Sequence, residues 1–159
     1  MRLYLIRHAK AERDAPDGRD ASRALTKRGV RQAAWLAERL ARAEARPGRV
    51  MASPAVRALQ TARVIADALG LPVEPHDALG LDAAPSDVIG LLGAIEAAEC
   101  VALVGHNPTF SLAADVLLRG IAGEGSTELR TGEAAVLDIP DPTAAPGAAT
   151  LLCALRMPQ

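Results

Sequence analysis

Arg2-Leu3-Tyr4-Leu5-Ile6-Arg7-His8 is a short apolar run that stops at a charged pair, the pattern of a buried strand opening into a functional loop. Cys100-Val101-Ala102-Leu103-Val104 repeats the pattern as an uninterrupted apolar pentapeptide, which suits a central strand covered on both faces, and it too ends at polar residues, Gly105-His106-Asn107. Two of the three histidines, His8 and His106, are thus expected at the carboxyl ends of the two best-defined strands.

Between these strands the chain alternates. Ala9 to Leu25 is rich in Asp, Arg, Gly and Pro without a sustained period and reads as a long loop, the kind that is usually functional or mobile in a compact domain. From Thr26, an N-cap residue type, apolar side chains recur at Val30, Ala33, Ala37, Leu40 and Ala41 with the spacing of one helical face. A brief strand, Val50 to Ala52, runs into Ser53-Pro54, where Ser can cap a helix and Pro suits its first position. That second helix would turn Val56, Leu59, Ala62, Ile65, Ala66 and Leu69 inward and stop at Gly70. Pro72 to Pro75 is a weak strand, Pro85-Ser86 opens a third helix through Ile89, Leu92 and Ile95, and Pro108 opens a fourth ending near Gly120. Ala134–Ile139 and Ala149–Leu155 read as late strands joined by the Pro/Ala/Gly-rich loop Pro140 to Ala148. The alternation predicts an α/β fold, one domain over residues 1–159, with a mainly parallel central sheet whose ligands gather at the carboxyl ends of the strands.

Composition narrows the function classes. The chain has 159 residues, one ordinary domain in size, and only 2% aromatic residues, which argues against stacking of nucleic-acid bases. Residues 1–70 carry 15 Lys/Arg against 7 Asp/Glu, and residues 71–159 carry 3 against 12, so a positive end could attract an anion. Arg39, Arg42 and Arg46 fit the solvated face of a helix, and no basic block resembles a nucleic-acid tail. No run is apolar and long enough for a membrane span or a signal peptide, which makes a cytoplasmic location the default expectation. Cys100 and Cys153 lie in apolar runs, where a thiol behaves as a small buried hydrophobe, and they have no Cys-x-x-Cys spacing.

Arg7 precedes His8, and Arg57 lies one turn inside the helix that follows a third strand, so Arg7, His8, Arg57 and His106 could converge on one pocket. Two guanidinium forks and two imidazoles suit a tetrahedral dianion, and phosphate is the expected ligand. His76, between Pro75 and Asp77, has no such placement.

Four ordered motifs then carry a resemblance. Leu3-Tyr4-Leu5-Ile6-Arg7-His8-Ala9-Lys10 resembles the signature of the histidine phosphatase superfamily, with Ala9 where the usual pattern has Gly, as in short members of the SixA type. Arg23-Ala24-Leu25-Thr26-Lys27-Arg28-Gly29 resembles its Arg-Pro-Leu-Thr-x-x-Gly stretch, and Ser53-Pro54-Ala55-Val56-Arg57-Ala58-Leu59-Gln60-Thr61-Ala62 its Ser-Pro-x-x-Arg-x-x-Gln-Thr-Ala helix start. Gly105-His106-Asn107-Pro108 completes the set.

The resemblance implies a three-layer, phosphoglycerate mutase-like fold with helices on both faces of the sheet. It implies a phosphatase in which His8 attacks phosphorus and is transiently phosphorylated, while Arg7, Arg57 and His106 hold the transferring oxygens, with no metal or other cofactor. The neighbouring positive groups would keep His8 neutral, as a nucleophile must be. Larger members supply a general acid after the third strand, where this chain has Asp77, Asp82 and Asp87. Asp82 is the choice, since Asp87 suits a helix N-terminus. Arg23 could reach the phosphate or pair with Asp20, Asn107 could contact it through its backbone, and Lys10 and Arg19 read as rim charges. The implied substrate is a phosphohistidine protein, with a small phosphorylated metabolite as the alternative and no nucleic-acid or membrane partner. A non-catalytic phosphate-binding module would need only the arginines and His106, and the intact His8 argues against it.

Overall fold

The computed structural model describes residues 1–96, 99–123, 127–141, 143 and 146–159. In chain order it contains β1 (Arg2–Arg7), α1 (Lys27–Ala41), β2 (Arg49–Ala52), α2 (Val56–Leu69), β3 (Val73–Pro75), α3 (Pro85–Gly93), β4 (Cys100–Gly105), α4 (Thr109–Arg119), β5 (Glu133–Asp138) and β6 (Thr150–Arg156). Short 3-10 turns occupy Asp20–Ser22 and Asp77–Leu79.

The strands form one sheet in the order β3-β2-β4-β1-β5-β6. β3, β2, β4 and β1 are mutually parallel, and β5 runs antiparallel to both β1 and β6. The period of two along the strands divides the core. Leu3, Leu5, Val101 and Leu103 pack with Val88, Leu92, Phe110 and Ala113 of α3 and α4. Tyr4, Ile6, Ala102 and Val104 pack on the other face with Leu36, Leu40, Ala62 and Ile65 of α1 and α2. The expected three-layer α/β architecture with helices on both faces is the one found.

Local details refine the sequence expectations. The Thr26 side chain caps α1 by accepting the Gly29 amide hydrogen at 3.0 Å. Val30 is half exposed and Leu36 is fully buried, because the inward stripe runs through Gly29, Gln32, Ala33, Leu36, Ala37 and Leu40. α2 begins at Val56, not at Pro54, and its buried face is centred on Ala58, Ala62, Ile65 and Ala66. Gly70 ends it in the left-handed conformation, φ 69°. Cys153 is exposed, because β6 is an edge strand and an apolar run there does not imply burial. Cys100 is half-buried, and desolvation raises its thiol pKa to about 11. Residues 142, 144 and 145 of the expected loop between β5 and β6 lie outside the described residues. No helix among the described residues is long and apolar enough to cross a membrane.

Candidate active site

Three adjacent parallel strands end in register. Ser53 follows β2, His106 follows β4 and His8 follows β1, and the ladder continues one step past each flank through Ser53 N to Val104 O at 2.9 Å and His8 N to Gly105 O at 3.0 Å. Gly105 is required at this edge, since a Cβ there would lie 2.4 Å from the Phe110 ring packed against it. The antiparallel course of β5 returns Leu129 to Gly132 to the same edge, where the Gly132 amide hydrogen bonds the carbonyls of Arg7 and His8 at 3.2 and 3.1 Å.

His8 is 7% exposed. Its Nδ1 lies 2.8 Å from the Ala9 carbonyl oxygen, which only accepts, so Nδ1 carries the proton. Nε2 therefore presents a lone pair, and Arg57 Nε donates to it at 3.1 Å. Burial first, then the Arg57 and Arg7 charges, push the His8 pKa down to about 4, so the ring is neutral near pH 7. The His106 ring centroid is 5.1 Å away, and its Nε2 lies 2.7 Å from Ser53 Oγ. Burial, followed by His8 and Arg57, lowers the His106 pKa to about 3. His106 Nδ1 and Arg7 Nε are buried polar atoms with no hydrogen-bond partner among the described residues. Arg7 Nη1 and Asn107 Nδ2 both donate to the Leu129 carbonyl, at 3.0 and 2.8 Å.

α2 anchors the loop after β1 through side chains that no charge argument singles out. The fully buried Thr61 hydroxyl accepts the Ala9 amide hydrogen at 3.1 Å and donates to the Arg57 carbonyl at 2.8 Å. Gln60 Oε1 accepts the Leu25 amide hydrogen at 2.7 Å, fixing the end of the long loop. That loop brings Asp20 over the site. Its carboxylate accepts from Arg57 Nη2 at 3.0 Å and lies 2.9 Å from Arg23 Nε, while Arg57 Nη1 donates to the Asp20 carbonyl at 2.7 Å. The bond from Arg57 holds the Asp20 carboxyl below its ordinary pKa, so it is ionised at neutral pH.

His8, Arg7, Arg57, His106, Arg23, Asn107 and Asp20 all line one open cavity of about 630 Å³. Chemically this is an uncharged imidazole lining a cationic cavity, its Nε2 lone pair held by Arg57 Nε; once an entering anion displaces that bond, the lone pair is suited to attack on an electrophilic phosphorus while guanidinium groups carry the oxygen charge.

The family model of the histidine phosphatase superfamily (branch 1) matches residues 3–80. The structure superimposes on SixA from Agrobacterium tumefaciens with a TM-score of 0.81 and 29% identity, covering 98% of this chain and 97% of that one. It superimposes on the protein histidine phosphatase SixA complexed with tungstate with a TM-score of 0.84 and 26% identity, over 98% and 97% of the two chains. The chain is similar to the histidine phosphatase superfamily in sequence over residues 3–80 and to SixA structures in fold over nearly its whole length. The alpha-ribazole phosphatase of Shigella flexneri, 21% identical over 95% and 94% of the chains with a TM-score of 0.73, shares the fold. A search of curated proteins finds no match to this sequence.

Within this superfamily fold the structure brings together Arg7, His8, Arg57, His106, Arg23 and Asn107, as the sequence suggested. Arg23 pairs with Asp20, one of the two roles considered for it, and lines the cavity. Asp82 is not brought in. It is exposed and lines an adjacent cavity with Asp77 and Asp87, while its neighbour Leu81 lines both cavities. Asp20 is the carboxylate found among the described residues lining the His8 cavity. Ser53 does not cap α2. Its Oγ accepts the Ala55 amide hydrogen at 3.2 Å and meets His106, so a residue read as helix punctuation orients an imidazole instead.

Proposed function

We propose that this chain hydrolyses phosphohistidine on a protein, in two displacements through a phosphoryl group carried on His8 Nε2. In the first, the incoming phosphoryl group displaces the Arg57 Nε hydrogen bond from His8 Nε2, and the freed lone pair forms a P–N bond as the substrate P–N bond breaks and the electron pair leaves with the substrate imidazole. In the second, water attacks the phosphorus, the His8–P bond breaks, and inorganic phosphate leaves. Arg7, Arg57 and His106 stabilise charge on the transferring oxygens, with Arg23 and Asn107 at the edge of the phosphate site.

The observation that carries the substrate class is the state of Asp20. The carboxylate lining the cavity is held ionised by Arg57, so it has no proton to give to a departing alkoxide. An imidazole whose second nitrogen is protonated leaves as a neutral ring and needs little help. General acid catalysis is worth about 10²–10⁴-fold where a poor leaving group requires it. The open mouth of the cavity also suits a histidine presented on a protein surface, and the likeness to SixA phosphatases supports the same reading.

The test compares kcat/KM for a phosphohistidine protein and for a sugar phosphate. Phosphohistidine turnover exceeding alkyl ester turnover by at least ~10²-fold is the expected result. Efficient sugar phosphate hydrolysis without phosphohistidine activity would assign the chain to small metabolites instead.

A further inference from the structure

Seven Lys and Arg side chains line the cavity, and three of them, Arg7, Arg23 and Arg57, are drawn in around His8. The other four, Lys10, Arg28, Arg130 and Arg156, take no part in the chemistry above. They come from four segments: the loop after β1, the first turn of α1, the turn before β5, and the last residue of β6. All four are exposed. Among the described residues no carboxylate lies within 4.0 Å of their charged nitrogens. Two acids lie near them: Asp20, which lines the same cavity, and Glu133, the cross-strand partner of Arg156, whose Oε2 accepts the backbone amide hydrogen of Arg130 at 2.9 Å.

This rim is built on fixed backbone. Gln32, a buried polar residue of α1 with no role at the phosphate, accepts the Lys10 amide hydrogen at 2.9 Å and donates to the Thr131 carbonyl at 3.0 Å. The Lys10 carbonyl in turn accepts from Thr26 N at 2.9 Å and Thr26 Oγ1 at 3.1 Å. One side chain therefore ties the segments bearing Lys10 and Arg130 to the helix bearing Arg28. Sheet order gives the rim a direction, since β5 and β6 lie on the side of β1 away from β2 and Arg57. A substrate whose phosphoryl group sits at His8 would extend its remaining surface over these four cations.

We propose that Lys10, Arg28, Arg130 and Arg156 dock an acidic surface on the phosphohistidine-bearing protein, recognising carboxylates that flank the phosphorylated histidine. The inference rests on the protein substrate class proposed above. A small phosphate ester has its charge met by Arg7, Arg57 and Arg23, which leaves nothing for the outer four to bind. A protein with neighbouring Asp and Glu side chains satisfies both sets. Rim charges of this kind act on encounter and selectivity and weaken with salt.

The test uses the full chain and its Arg28→Gln/Arg130→Gln/Arg156→Gln variant, with three substrates: a phosphohistidine peptide flanked by Glu, the same peptide flanked by Gln, and free phosphohistidine. An exposed charge pair contributes roughly two- to fivefold, so three together give roughly tenfold or more. The wild type is expected to prefer the Glu-flanked peptide by about that factor in kcat/KM at low salt. The preference should collapse in the triple variant and at high salt, while free phosphohistidine turnover changes by less than about twofold. Equal turnover of the two peptides by the wild type, or a preference surviving in the variant, would overturn the docking rim and leave the substrate class standing. Failure of the wild type to turn over any phosphohistidine substrate would overturn the reading on which the rim depends.

Discussion

Replacing Asp20 by Asn should tighten the binding of tetrahedral oxyanions. Arg57 uses all three of its guanidinium nitrogens internally: Nε on His8, Nη1 on the Asp20 carbonyl and Nη2 on the Asp20 carboxylate. An incoming phosphoryl group competes with that carboxylate for Arg57 and Arg23, and it meets a like charge. The Asp20 side chain is 58% exposed, so its two pairs are worth surface values of about 0.2–1 kcal/mol each, or about 1 kcal/mol together. The carboxamide in Asp20→Asn keeps an oxygen to accept from Arg57 but carries no charge. Titration calorimetry with tungstate at pH 7 and ~0.1 M salt should therefore show Kd falling about fivefold in Asp20→Asn, a factor that shrinks as salt rises. An unchanged or weaker Kd, with the melting temperature preserved, would refute the idea that Asp20 competes with the oxyanion and would recast it as part of the binding site.

Three further outcomes follow from the geometry. In Gly29→Ala a Cβ would sit 2.0 Å from the Lys10 carbonyl oxygen, a backbone atom, so α1 or the loop after β1 must shift; urea unfolding should show a loss of about 1–3 kcal/mol despite the better helix propensity of Ala. Ser53→Ala leaves the buried His106 Nε2 without its 2.7 Å partner, and a stability loss of about 1–3 kcal/mol with a reduced kcat/KM is expected in the same denaturation and rate assays. His8 and His106 have folded pKa values of about 4 and about 3, below the ordinary value near 6.5, so the unfolded chain binds more protons between those limits. Stability should be full above about pH 6.5 and fall by about 2 kcal/mol per histidine on going from pH 7 to pH 5, a slope that His8→Gln/His106→Gln should flatten in urea titrations at the two pH values.

The layers of the fold were legible because the sequence changes period where the structure changes element. Leu3 to Ile6 and Val101 to Val104 are apolar on both faces, and helices cover both faces. The same logic brought His8 and His106 together, since neighbouring parallel strands must deliver the residues after their ends to one edge. Asp20 was hidden because its place depends on the path of a loop without periodicity, pinned by Gln60 to Leu25 and by Arg57 itself. Asp82 was misplaced for the converse reason, since nearness in sequence to the third strand says nothing about which side of Leu81 the chain passes. Ser53 carried a helix-start signal as good as any, and only the register of β2 beside β4 reveals that its hydroxyl faces His106. Cys153 and Val30 show the limit of apolar patterning, which reports that a position is tolerant of burial but not that the fold covers it.

In the proposed reaction His8 carries the phosphoryl group between two displacements. Rapid quenching of the enzyme during turnover of ³²P-labelled phosphohistidine substrate, followed by peptide mapping, tests it most directly. Acid-labile, alkali-stable label on the peptide containing His8 is expected, and His8→Ala should lose both the label and activity by roughly 10³-fold or more. Label that survives acid, label on another residue, or a His8→Ala enzyme that keeps most of its turnover would contradict it.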